Sequence, residues 1–167
     1  MRCKKLALLA LVIASAAGAN AVSVAFQIIQ HDPADAGIRN SSYIIEESLF
    51  GFFFDKGVIV SNSPAAVSDG DDSAVFKKSL EEAREGDVDF FIEITGDYDS
   101  SQSANPEAAL LENIQSVSWS IIDVGSGAAV HSGRKSPPAV SGIKNKKKGL
   151  ADFAAGIAED IYTFIRR

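Results

Sequence analysis

Cysteine is almost missing: Cys3 is the only one in 167 residues. One thiol near the start supports neither a disulfide framework nor a thiolate metal site. Histidine is nearly as scarce, with only His31 and His131. A zinc site built from both and a carboxylate would have to be gathered from distant parts of the chain. The sequence has no G-x-S-x-G elbow and no G-x-x-x-x-G-K-[ST] loop, so the usual signatures of serine hydrolases and phosphate-loop NTPases are absent. Gly125-Ser126-Gly127 reads as a hairpin turn. Positive charge is in deficit, with 16 Lys and Arg against 22 Asp and Glu. Phosphate neutralisation dominates duplex nucleic-acid binding, so no nucleic-acid partner is expected.

Long apolar runs are lacking too. Leu6 to Ala17 is unbroken, but its roughly 12 residues fall short of the ~20 that span a bilayer. It follows Arg2, Lys4 and Lys5 and precedes Ala19-Asn20-Ala21. Basic start, apolar run and A-x-A together spell a cleavable secretory signal peptide over residues 1–21. Cys3 lies ahead of the run, where no lipid-bearing cysteine would stand, and it leaves with the signal. Residues 22–167 then form a cysteine-free single domain, periplasmic or secreted, with no further candidate span.

What is present is periodicity. Ser23 to Gln30 carries apolar residues on both faces, as a central strand does. Ser41 to Lys56 reads as a helix capped by Asn40, Ser41 or Ser42 and closed by Gly57. Ile45, Leu49, Phe52 and Phe53 share its core face, while Tyr43, Phe50 and Phe54 form a second stripe. Val58 to Val60 is a short strand, and Ser61 to Ser68 a loop. Ser73 to Glu85 is a second helix, with Gly86 as terminator. Val88 to Thr95 alternates as a strand, and a polar loop begins at Gly96. Gln115 to Asp123 and Ala128 to Arg134 make a hairpin. Lys135 to Gly149 reads as a loop. Leu150 to Ile165 has one continuous apolar face that includes Phe153, Ile157, Ile161 and Phe164. The expected fold is α/β: a mixed sheet of about five strands in the order β-α-β-α-β-β-β-α, with the C-terminal helix packed on one face.

Three stretches carry a resemblance. A helix runs into a short strand over Leu49 to Val60. Glu81-Glu82-Ala83-Arg84-Glu85-Gly86-Asp87-Val88-Asp89-Phe90 pairs a glycine-ended helix with an acidic-hydrophobic strand. Ile122-Asp123-Val124-Gly125-Ser126-Gly127 turns into a returning strand. In these the chain resembles a superfamily of bacterial envelope domains that includes the TolB amino-terminal domain, CsgG and LpoB-type activators. The resemblance implies a periplasmic recruitment or regulatory module without catalysis. Pore and propeller functions are not implied, because the chain has no long membrane-inserting hairpin and no propeller.

The candidate sites follow. Tyr43, Phe50 and Phe54 suit a partner surface or self-association. Lys144, Lys146, Lys147 and Lys148, near Arg134 and Lys135, are the one basic cluster on an acidic chain and suit an anionic partner. The partner expected is an envelope protein or a cell-wall component. Asp69, Asp71 and Asp72 miss the glycine placement of a calcium loop and read as helix-capping acids. No cofactor, metal or catalytic residue is assigned. One alternative is a metal- or carboxylate-dependent hydrolase using His31, Asp97 and Asp99, which requires those side chains to converge. The other is a binder of a small ligand or cell-wall polymer at the strand ends.

Overall fold

The computed structural model describes residues 21–32, 37–99, 103–139 and 146–166. The signal-peptide expectation and Lys144 therefore lie outside the described residues, apart from Ala21. The element order is β1 (Ser23–His31), α1 (Asn40–Asp55), β2 (Ile59–Asn62), β3 (Ala66–Ser68), α2 (Ser73–Glu85), β4 (Phe90–Tyr98), β5 (Ile114–Asp123), β6 (Ala128–Lys135) and α3 (Lys146–Ile165). A short 3₁₀ turn, Leu111–Asn113, leads into β5.

The sheet runs β2-β1-β4-β5-β6, with β3 also paired to β1. The strands β1 to β4 are parallel, and the β4-β5-β6 pairings are antiparallel. The fold is thus the mixed α/β domain read from the sequence, with six strands in place of five. The added strand is β3, inside a stretch read as loop. With β2 it lies along one edge of β1, interrupted where Pro64 has no N–H to give. Gln27 fills part of the break by donating Nε2–H to the Pro64 carbonyl (2.9 Å).

Strands β2 and β4 flank β1, so right-handed crossovers put α1 and α2 on opposite faces. The core divides accordingly. Val24, Phe26, Ile28, Ile92 and Ile94 pack with α1 and α3 on one face. Ala25, Phe91, Ile122 and Val124 pack with Leu80 and Ala83 of α2 on the other. This two-sided burial accounts for the apolar residues on both faces of β1. In β5, Val117, Trp119 and Ile121 face the larger core, as the alternation implies.

Several ends differ from the sequence reading. The N-cap of α1 is Arg39 and has no side-chain cap bond; Ser42 instead donates its hydroxyl to Gln30 Oε1. Gly57 does close α1, at φ +76. Gly86 ends α2 in a right-handed conformation, and the left-handed residue is Asp87 at φ 51. Strand β4 continues through Gly96 to Tyr98 because β5 keeps pairing there, with Gly96 opposite Val117 and Asp97 opposite Ser116. Helix α3 begins four residues before Leu150, so Lys146, Lys147 and Lys148 are helical rather than loop residues.

Gly133 on β6 lies under the Trp119 indole. A Cβ placed there would come 2.2 Å from Trp119 Cζ2 and 2.5 Å from Cε2. Relief requires moving a buried ring, so Gly133→Ala is expected to cost about 1–3 kcal/mol, the usual range for overpacking. Urea titration measures it, and an unchanged midpoint would show that the ring is free to move aside.

Candidate functional site

In a parallel sheet, ligand sites form where neighbouring connections leave in opposite directions, at the carboxyl ends of the strands. Here that point lies between the ends of β1 and β4, and two polar clusters meet it, one on each face.

On the α2 face stands His31, the last residue of β1, directly opposite Asp97 in the ladder. Its Nδ1 is 3.3 Å from Asp97 Oδ1. Its Nε2 is 2.9 and 3.0 Å from the two carboxylate oxygens of Asp72, just ahead of α2. Ser116 donates its hydroxyl to Asp97 Oδ2 (2.7 Å). From β6, Arg134 Nη2 donates to Asp97 Oδ2 (3.0 Å) and to Ser116 Oγ (2.7 Å). Partial burial works against a charged imidazole, but the hydrogen bond and charge of Asp72, then those of Asp97, outweigh it and raise the His31 pKa. Glu93, two turns of the pleat back on the same face, is also raised, first by burial and then by the charge of Asp72.

The hydrolase constellation therefore assembles in part and with a different member. His31 and Asp97 meet, but the second carboxylate is Asp72. Asp99 lies past the end of β4, where its N–H donates to Asn113 O (2.7 Å). Both imidazole nitrogens face carboxylates, which leaves no lone pair poised toward a substrate. Ser116 is bonded to Asp97 and Arg134 rather than to the imidazole, so the trio is no acyl-transfer triad. Among the described residues no group of three or more His, Asp or Glu has the arrangement of a metal site. The expected capping acids divide: Asp71 accepts from the Ser73 N–H (3.2 Å) and hydroxyl (2.6 Å), whereas Asp72 makes no cap bond.

On the α1 face, Arg39 and Asp32 form an ion pair through Nε and Oδ2, and both side chains are fully buried. Arg39 lies over the Tyr98 ring, with Cζ 5.7 Å from its centroid. Tyr98 OH and Ser42 Oγ are 2.8 Å apart, and the Arg39 N–H donates to Gln30 Oε1 (2.8 Å). Burial pushes the Tyr98 pKa up. Neither Gln30 nor Arg39 stands out in the sequence, and Ser42, expected only as a cap, bonds Gln30 and Tyr98 instead.

A groove of about 790 Å³ opens at the other end of the sheet, near the starts of β1 and β4. Asp87, Asp89, Asp123, Arg84 and Phe90 line it, and Asp89 is tied to the N–H of Ser23 (2.7 Å) and its hydroxyl (2.8 Å).

The two expected partner surfaces fare differently. Tyr43, Phe50 and Phe54 are exposed by 52, 37 and 68%. At about 100° per residue, Phe54 is diametrically opposite the buried Ile45, so the stripe runs along the outer back of α1. Of the lysines, Lys148 pairs with Asp152 (2.6 Å), and Lys146 Nζ is 3.9 Å from Glu112. Lys147 is exposed and forms no ion pair among the described residues. Arg134 and Lys135 are drawn away from them, to Asp97 and Asp160. No described helix is long and apolar enough to cross a membrane.

A search of curated proteins found no match. Among solved structures the chain is similar to a PelC dodecamer from Paraburkholderia phytofirmans, with 14% identity, 81% of this chain and 83% of that chain covered, and a TM-score of 0.47. It is also similar to lipoprotein GNA1162 from Neisseria meningitidis, with 16% identity, 85% of this chain and 99% of that chain covered, and a TM-score of 0.48. A family model described as "Uncharacterised protein" matches residues 23–166, and the chain belongs to that family.

Proposed function

We propose that this chain is a non-catalytic module of the bacterial envelope, exported by the signal peptide at residues 1–21, which recruits or regulates an envelope assembly through the outer face of α1. The observation that carries the reading is the exposure of Tyr43, Phe50 and Phe54 on the side of α1 opposite the core. Aromatic side chains are enriched at protein interfaces and are not needed here to hold the helix down. Commitment of both His31 nitrogens to carboxylates supports the non-catalytic part. The resemblance to the TolB amino-terminal domain, CsgG and LpoB-type activators belongs to the same proposal. The partner is an envelope protein or a cell-wall component, with Lys147 as a subsidiary contact for an anionic group.

The double variant Phe50→Ser with Phe54→Ser tests this. Both positions are exposed, so stability should stay within about 1 kcal/mol of wild type. Recovery of the envelope partner by the tagged mature protein should fall at least tenfold. Sedimentation of the purified protein separates a second copy from a foreign partner: self-association abolished by the same change assigns the stripe to homo-oligomerisation. A folded variant with both associations intact rules the stripe out as a binding surface.

A further inference from the structure

The Asp72–His31–Asp97 bridge joins three elements through one ring. His31 closes β1, Asp97 belongs to β4, and Asp72 is the residue before α2. The two carboxylates differ in how firmly they are held. Asp97 is fixed by the β4 ladder and accepts two further bonds, from Ser116 and Arg134. Asp72 follows a turn whose Gly70 takes φ +113, and among the described residues its carboxylate bonds only to the imidazole. We propose that His31 is a protonation-operated clamp, which fastens the N-terminal turn of α2 to the carboxyl edge of the sheet and releases it when the imidazole loses its proton.

The argument is one of donors and acceptors. A carboxylate only accepts, so a ring nitrogen facing one must carry a hydrogen. Imidazolium has two N–H groups and satisfies both neighbours. Neutral imidazole has one, so either Asp72 or Asp97 then faces a lone pair. The proton leaves to solvent, which the partly exposed ring permits at 26% side-chain exposure. The charges that remain are unbalanced. Around His31 stand Asp72 at the start of α2 and Asp97 and Glu93 on β4. Asp69 and Asp71 lie in the preceding turn, and the neighbouring β3 residue is the uncharged Ser68. Among the described residues the cation paired with this group is Arg134 of β6, already bound to Asp97. Asp97 and Glu93 cannot leave the ladder, so repulsion is relieved by moving Asp72, and the first turn of α2 moves with it.

The sign follows from the raised His31 pKa. The clamp is fully closed below the unfolded-state value of about 6.5 and is lost as pH rises through the higher folded-state value. Amide hydrogen exchange of the full mature chain reads it directly. After correction for the intrinsic pH dependence, amides of the first turn of α2 should lose about tenfold protection between about pH 6 and pH 8. The Phe76 N–H, which donates to Asp72 O, is the most direct reporter. Amides of β4 should not change. In Asp72→Asn and in His31→Gln the same turn should show low protection at both pH values. A nuclear magnetic resonance titration of His31 in the unaltered protein needs no variant to fold, and its midpoint should lie above about 6.5 and coincide with the loss of protection. A midpoint at or below that value, or α2 protection equal at both pH values, overturns the proposal.

Discussion

Ile157→Asp is expected to abolish cooperative folding. Ile157 is fully buried in α3, in line with Leu150, Phe153, Ala154, Ile161 and Ile165, and this face packs with α1 over β1, β4 and β5. The described residues clustered around Ile157 are hydrophobic and supply no cation to meet a carboxylate. Burying an unpaired charge costs several kcal/mol even after local relaxation. The lost isoleucine packing adds about 2–5 kcal/mol. A domain of this size has only about 5–15 kcal/mol in hand. Circular dichroism on heating should therefore show no sharp transition for Ile157→Asp, and a lowered but cooperative one for Ile157→Ala. A wild-type melt for the aspartate variant would mean that α3 is not docked on the sheet. Phe164, also expected in the core, is only partly buried: its ring stacks on His131 of β6 at 4.7 Å. Phe164→Ala should accordingly cost less than Phe153→Ala.

The elements legible in the sequence are those whose signal is local. Helix α2 follows from its spacing of Phe76, Leu80 and Ala83 between two breakers, and Ser73–Glu85 is also its observed extent. The serine-and-apolar alternation of β5 fixes which side meets the core. What escaped depends on partners distant in the chain. Gly96 looks like the end of a strand until β5 is laid beside it; the Tyr98 ring then covers the glycine, and a Cβ there would lie 3.1 Å from Cε2. Strand β3 is three residues long and exists only because β1 has an open edge. The aromatic stripe of α1 could be seen, but whether it was buried depended on where α3 lay. Both helices occupy one face of the sheet, and α3 packs beside α1 without covering its back. For the site, strand-end position pointed to His31 and Asp97. Asp72 looks like a cap in the sequence, a role Asp71 performs, while Ser116, Glu93 and Arg134 reach the cluster only through the registers of β4, β5 and β6.

Breaking the Arg39–Asp32 pair should cost about 3–5 kcal/mol, because each single change takes from a fully buried charge its ion-pair partner. Nothing near Arg39 in the sequence announces this burial. It ends a polar connection where an arginine is ordinarily solvated. The structure instead places it at the start of α1 over the Tyr98 ring, with one guanidinium nitrogen reaching Ser103 O (3.4 Å) and Nη2 without a hydrogen-bond partner among the described residues. That arrangement is incompletely satisfied, so the pair is not a large net source of stability. Its loss is costly mainly because of what remains behind. Asp32→Asn takes from the guanidinium its one carboxylate among the described residues, and Arg39→Gln takes from the carboxylate its one cation among them. Changing both removes the two charges together and puts a pair of neutral amides in their place. The double variant should thus lose clearly less than the sum of the two single losses, with a coupling in the upper part of the roughly 0.5–3 kcal/mol seen for groups in contact. Guanidinium denaturation of the four proteins closes the cycle. Additive losses would show that the two side chains are held independently, Arg39 by the Tyr98 ring and Ser103 O, and that the charge pairing contributes nothing to holding the start of α1 against the end of β1.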